Sequence, residues 1–231
     1  EEIIRSYPEH ERETRAFGIP AAGEGKVFTI AESEIREDPV RIPDYWRQII
    51  GIDVGIGHPF AAVHLAHDPD SDTVHVVNCY RTKGLTPPVH ASTCKRWGEW
   101  IPVAWPHDGG HRDKGSGTQL IELYRQENVN VLPRSARYDI KKGGPQPVNP
   151  IVETAYERMT TGRFKVFSPL TDWFSEFRML HRKDGVIQPR NDDLMKATFY
   201  ALMSLNYAMP ASRRTQRIRR HTPVQGLRQW G

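Results

Sequence analysis

The chain has 231 residues, a formal charge of +4 and a hydrophobic share of 38% that includes 8 Tyr, 8 Phe and 6 Trp. That length and apolar content exclude a disordered chain and allow one sizeable core, and no apolar run approaches the roughly 18 residues of a membrane span. The mild basic excess fits a polyanionic partner without singling one out, and Cys79 and Cys94, with no CxxC spacing, read as reduced thiols of an intracellular protein.

Residues 1–48 show no sustained period. "EEIIRSYPEHERETR" reads as a short charged helix, too charged for a signal peptide, and a start without Met suggests a piece cut from a longer chain. "GIPAAGEGKVFTI" is a turn-rich connector leading to a short strand, and "EIREDPVRIPDYW" adds two prolines and an aromatic pair. This segment is expected to be a lead-in that packs on the edge of a domain spanning 49–210.

From Ile49 the pattern sharpens. "IIGIDV", "FAAVHLAHD" and "TVHVVNCYRTK" are three strands, the last two joined by the polar turn "DPDSD". "PPVHASTCKRWGEW" opens with prolines, as a helix start tolerates, and Gly98 stops it. "IPVAWPHD" is a short strand, "GSGTQLIELYRQENV" an amphipathic helix and "VNVLPRS" a further strand. After the Gly/Pro-rich break "KKGGPQPVNP" come a helix "IVETAYERMTTG", a strand "RFKVF" and a helix "LTDWFSEFRMLHRKDG" with Trp173, Phe174, Phe177 and Leu180 at helical spacing. The last strong element is the helix in "NDDLMKATFYALMSLNYA". Residues 211–231, with five Arg between 213 and 220, read as a disordered basic tail. The order β-β-β-α-β-α-β predicts an α/β fold: an antiparallel three-strand meander continued by parallel strands and flanked by helices.

Asp53 stands where its strand should stay apolar. A buried carboxylate costs roughly several kcal/mol unless it is paired or holds a metal. Asp108 ends the fourth strand, and Asp192 and Asp193 open the last helix. Taken alone, Asp108 reads as a turn residue, and Asp192 or Asp193 reads equally as a helix cap. In the last helix Leu194, Ala197, Thr198, Ala201, Leu202 and Leu205 follow the spacing of a buried face. The small Ala197 and Ala201 would let that helix approach the sheet and carry its first-turn acids toward Asp53. Four carboxylates on elements that can meet at one sheet edge point to Mg²⁺ or Mn²⁺, and two such ions can clamp an in-line phosphoryl displacement.

His58, His64, His67, His107 and His111 cluster near these acids without zinc-site spacing, and His64 reads as structural. The Walker pattern fails in "PAAGEGKV", where Pro20 replaces the first glycine and Val27 the hydroxyl. Arg112 and Lys114 in "HRDKGSG", and Lys141 and Lys142 in the Gly-rich break, are basic residues able to hold a phosphate, with solvated loops as the alternative. "GIDVG" and "HDGG" are also similar to the phosphate loops of actin-like ATPases, which keeps a nucleotide-binding domain as an alternative reading.

Five ordered motifs, "GIDVGIGHPFAAVHLAHD", "WIPVAWPHDGGHRDKGSG", "RMTTGRFKVF", "EFRMLHRKDG" and "NDDLMKATFYALM", resemble the C-terminal nuclease domain of the large terminase subunit of headful-packaging tailed bacteriophages. The resemblance runs from Ser6 to Met209. It implies a ribonuclease H-like fold and metal-dependent cutting of concatemeric double-stranded DNA at the start and end of packaging. Carried over by motif, Asp53, Asp108 and Asp193 are the catalytic metal ligands, with Asp192 as helper. The implied partners are double-stranded DNA, a packaging ATPase domain of the same polypeptide, the small terminase subunit and the portal protein, in the cytoplasm of an infected host. Lys196 and Thr198 stand where relatives often carry another acid, which puts a ligand on the second helical turn in doubt. A non-catalytic DNA-docking module is the rival reading.

Overall fold

A computed structural model describes residues 25–54, 59–107, 119–136, 149–183, 186–188 and 191–211. Its sheet grows from the meander. β1 is Arg36–Glu37, β2 Arg47–Val54, β3 Phe60–Asp68, β4 Thr73–Thr82, β5 Val103–Ala104, β6 Phe164–Phe167 and β9 Met209–Pro210, in the order β1-β6-β4-β3-β2-β5 with β9 also on β2. β2, β3 and β4 pair antiparallel, whereas β5 joins β2 and β6 joins β4 in parallel. This is the mixed sheet that the sequence predicts. A separate hairpin pairs β7 (Arg182–Lys183) with β8 (Val186–Ile187).

Six α-helices and a short 3₁₀ turn, Leu205–Tyr207, complete the described part: α1 Glu32–Ile35, α2 Pro87–Gly98, α3 Leu120–Gln126, α4 Asn149–Thr160, α5 Thr171–Met179 and α6 Asp193–Met203. Alternation along the strands divides the core into two layers. Ile50, Ile52 and Val54 face Ala91 and Cys94 of α2 and Ile121 and Tyr124 of α3. Ile49, Ala61, Val63 and Leu65 face α4, α5 and α6. Asp53 has the register of this second layer, two residues beyond Gly51.

Several elements differ from expectation. The helix from Leu170 ends at Met179, because Leu180 takes extended backbone and the chain turns into the β7–β8 hairpin. The strand expected over 101–108 shrinks to Val103–Ala104, and the strand expected over 129–135 to one parallel bridge between Val103 and Val131. Prolines at 102, 106 and 133 deny the ladder the donors it would need there. The expected strand near Val27 is likewise one bridge, Lys26 to His181. α6 is buried nearly all round, not on one stripe, because it lies between the sheet and helices α4 and α5.

Residues 25–46 are fastened to this body. The Glu32 carboxylate accepts from Arg36 and Arg178, the Arg36 guanidinium lies over the Phe174 ring, and Phe28 stacks on Phe177. His64 sits inside the sheet between Gln48 and Asn78, and burial pushes its pKa down to about 3, so the ring stays neutral and structural. Burial raises both thiols to about 12, which leaves Cys79 and Cys94 inert.

Candidate metal centre

The site begins with a missing side chain. A Cβ on Gly51 would stand 1.9 Å from the carbonyl oxygen of Ala197 and 2.9 Å from the Ala201 Cβ. Only glycine in β2, facing alanines in α6, lets helix and strand approach this closely. The start of α6 is thereby laid over the end of β2 that carries Asp53. Asp53, Asp192 and Asp193 are all buried.

The sheet register adds a second constraint. Asp53 pairs with Ala61, and Ala61 with Arg81, so these three residues form one row across β2, β3 and β4. Residues directly opposite one another in antiparallel pairs share a face. The row therefore presents an acid, a small residue and a guanidinium to the layer of α6. Arg81 closes the contact by donating Nε–H to Asp193 Oδ2 at 2.9 Å.

The acid at the cap position of α6 does not cap its own helix, which removes that alternative for Asp192. Asp192 occupies the cap position without a side-chain cap bond. The cap comes from α5: Glu176 Oε2 accepts from the backbone N–H groups of Leu194, at 2.7 Å, and Met195, at 3.3 Å. An anion on these amides is also favoured by the helix dipole. Trp173, one turn earlier, donates its indole N–H to Thr198 and ties the two helices together. Glu176 Oε1 lies 3.2 Å from Arg81 Nε, so one guanidinium serves two buried carboxylates.

Lys196 supplies the second cation, with Nζ 3.0 Å from Asp192 Oδ1. Burial alone would lower its pKa, but Asp192, and after it Asp53 and Asp193, outweigh that and hold it above the usual lysine value. Lys196 thus senses all three aspartates. Burial pushes the Glu176 carboxyl up to about 7, Asp193 adds to the rise, and the two amides and Arg81 oppose it.

Among the described residues, no three His, Cys, Asp or Glu side chains gather tightly enough to hold a metal ion. Asp108, Arg112, Lys114, Lys141 and Lys142 lie outside the described residues, as do residues 1–24 and 212–231. The donor set present suits a hard divalent cation. It consists of the buried carboxylate oxygens of Asp53, Asp192 and Asp193, three acids facing two cations, an excess of negative charge that such an ion would balance. Sequence reading missed Arg81 and Glu176. The available signal for Glu176 was a charged residue three positions after Trp173, inside the apolar stripe of its helix.

Comparison with known proteins places the fold in a family. The model of the terminase RNaseH-like domain matches residues 50–205. The large terminase subunits of Salmonella phage P22 and Enterobacteria phage LP7 are each 39% identical, over 90% and 88% of this chain but 41% and 42% of their own lengths. The chain therefore spans about two fifths of the curated relatives it matches. The P22 large terminase nuclease domain superposes with a TM-score of 0.75 at 33% identity, covering 83% of this chain and 97% of that one. The large terminase nuclease domain of bacteriophage SPP1, solved with bound Mn, shares the fold at 16% identity, with a TM-score of 0.50 over 72% of this chain and 93% of that one. On its fold and its motifs alike, the chain belongs to the terminase RNaseH-like domain family.

Proposed function

We propose that this chain is the metal-dependent endonuclease part of a large terminase. In this reading it cuts concatemeric double-stranded DNA when headful packaging begins and ends. The observation that carries it is the close approach of α6 to Gly51, supported by Lys196, which senses Asp192, Asp53 and Asp193 together. The P22 nuclease domain supports the activity class, and the Mn bound by the SPP1 domain supports trying Mn²⁺ first.

Asp53, Asp108 and Asp193 would hold two Mg²⁺ or Mn²⁺ ions, with Asp192 assisting. When bound, such ions supply an activated water and take up charge developing at the scissile phosphate. The protein's own residues position. Asp53 is fixed by a central strand, and Asp193 by a helix start that Glu176 caps and Arg81 ties to the sheet. Lys196 offsets the mutual repulsion of the aspartates, which allows them to be buried together.

Arg112, Lys114, Lys141 and Lys142 are proposed contacts to the DNA backbone. Residues 1–48 are proposed as a connector to a packaging ATPase domain of the same polypeptide, and 211–231 as a basic tail after the nuclease domain. The small terminase subunit and the portal complete the proposed partners, in the cytoplasm of the infected cell.

Plasmid nicking in Mn²⁺ tests this. The wild-type chain is expected to nick, and Asp53→Asn to lose nicking while it keeps its melting temperature. Undiminished nicking by that variant would overturn the assignment. DNA binding without product at any metal concentration would favour the docking-module reading.

A further inference from the structure

Arg81 differs from the other ion-paired arginines in how it is held. Among the described residues, the ion pairs of Arg36, Arg125, Arg158 and Arg163, and that of Arg178 with Glu32, run through terminal Nη atoms. Arg81 engages Asp193 and Glu176 through Nε alone. Among the described residues, its two Nη groups meet no acceptor.

Exposure follows the same division. The Arg81 side chain is 31% exposed, whereas its partners are nearly sealed, Glu176 at 3% and Asp193 at 7%. The guanidinium thus lies at the outer rim of the acidic site, with its inner edge fixed and its planar fork unused. It also stands in the cross-sheet row of Asp53, about 10 Å away over two strand spacings. Its Nε, 2.9 Å from Asp193 Oδ2, puts the guanidinium directly beside the acids. Because an arginine fork matches the two oxygens of a phosphate, a guanidinium anchored at Nε is preorganised to receive one.

From this we infer that Arg81 is a substrate-binding residue, whose Nη groups grip a backbone phosphodiester of double-stranded DNA beside the acidic site. The inference rests on the nuclease reading for its ligand, and it adds a contact to the proposed set. Arg81 would also spare the phosphate the full repulsion of Asp193 by neutralising that carboxylate from within. Asp193 is thereby aimed and the DNA held by one side chain.

The test is binding of the 231-residue chain to a short DNA duplex over a range of salt concentrations, with Ca²⁺ replacing Mn²⁺ so that the duplex survives. Arg81→Gln is expected to weaken binding about tenfold and to reduce the slope of log affinity against log salt by about one. Because that variant strands two buried carboxylates, the double variant Arg81→Gln with Glu176→Gln is measured beside it. There the glutamine oxygen still caps α6, and the same loss is expected. Unchanged affinity and salt slope in a folded double variant would overturn the inference, as would a wild-type chain that binds no duplex. The two readings separate. A chain that shows the Arg81 dependence yet never nicks in Mn²⁺ retains this contact and loses the nuclease reading. A nicking chain whose binding ignores Arg81 does the reverse.

Discussion

Gly51 and Ala197 touch so closely that a single methyl group cannot fit between them: a Cβ on Gly51 would lie 1.9 Å from the Ala197 carbonyl oxygen. The obstacle is main chain, so no rotamer change relieves it. Gly51→Ala must push α6 from the sheet, and overpacking of this kind costs about 1–3 kcal/mol. Chemical denaturation is expected to show that loss. Nicking should fall further than the folded fraction does, because the displaced helix takes Asp193 with it. A variant of wild-type stability and activity would mean that the contact is slack.

Glu176 separates two contributions to the start of α6. Glu176→Gln keeps an oxygen for the Leu194 and Met195 amides, whereas Glu176→Ala leaves both without it. The alanine variant is expected to lose about 1–2 kcal/mol more than the glutamine variant, the value of a helix cap. Equal losses in denaturant melts would show that the amides find other partners.

The dependence of stability on pH carries two opposed trends. Burial raises Glu176 to about 7 from 4.5, so the folded state binds more protons than the unfolded state between those values, and stability from this group falls as pH rises through them. His64 is lowered from 6.5 to about 3, so the unfolded state binds more protons there, and its contribution, full above 6.5, is lost as pH falls toward 3. The two offset each other across the overlap from 4.5 to 6.5. Metal-free Glu176→Gln is therefore expected to show stability rising with pH in that window more steeply than wild type. Parallel profiles would contradict the assignment.

Lys196 acts as a resident counter-charge. Lys196→Met removes the partner of Asp192 and leaves the aspartates to repel one another. The metal-free variant is expected to melt lower than wild type, and the rise in melting temperature on adding Mn²⁺ to be larger. A smaller rise would show that Lys196 supports cation binding instead of competing with it.

How far the residues foretold this arrangement depends on the kind of signal. β2 and β3 follow from continuous apolar runs and β4 from alternation, and β3 begins and ends where "FAAVHLAHD" does. The approach of α6 to β2 follows from Ala197 and Ala201, since small side chains at helical spacing mark a close contact. Hairpin β7–β8 was hidden because "LHRKDG" continues a plausible helical pattern, and the break comes from pairing between β7 and β8. Arg81 was hidden for a different reason. Its link to Asp53 runs through Ala61, and register across three strands is set by the folded sheet, including a shift between His64 and Leu65 that no local pattern announces.

The central claim concerns one shared place for acids from β2 and α6, and crystals of the chain soaked in Mn²⁺ address it most directly. The account predicts an anomalous density peak within ligating distance of both Asp53 and Asp193, with the Arg81 guanidinium still on the far oxygen of Asp193. A map with no peak between those two carboxylates, or with manganese held by either one alone, would contradict it.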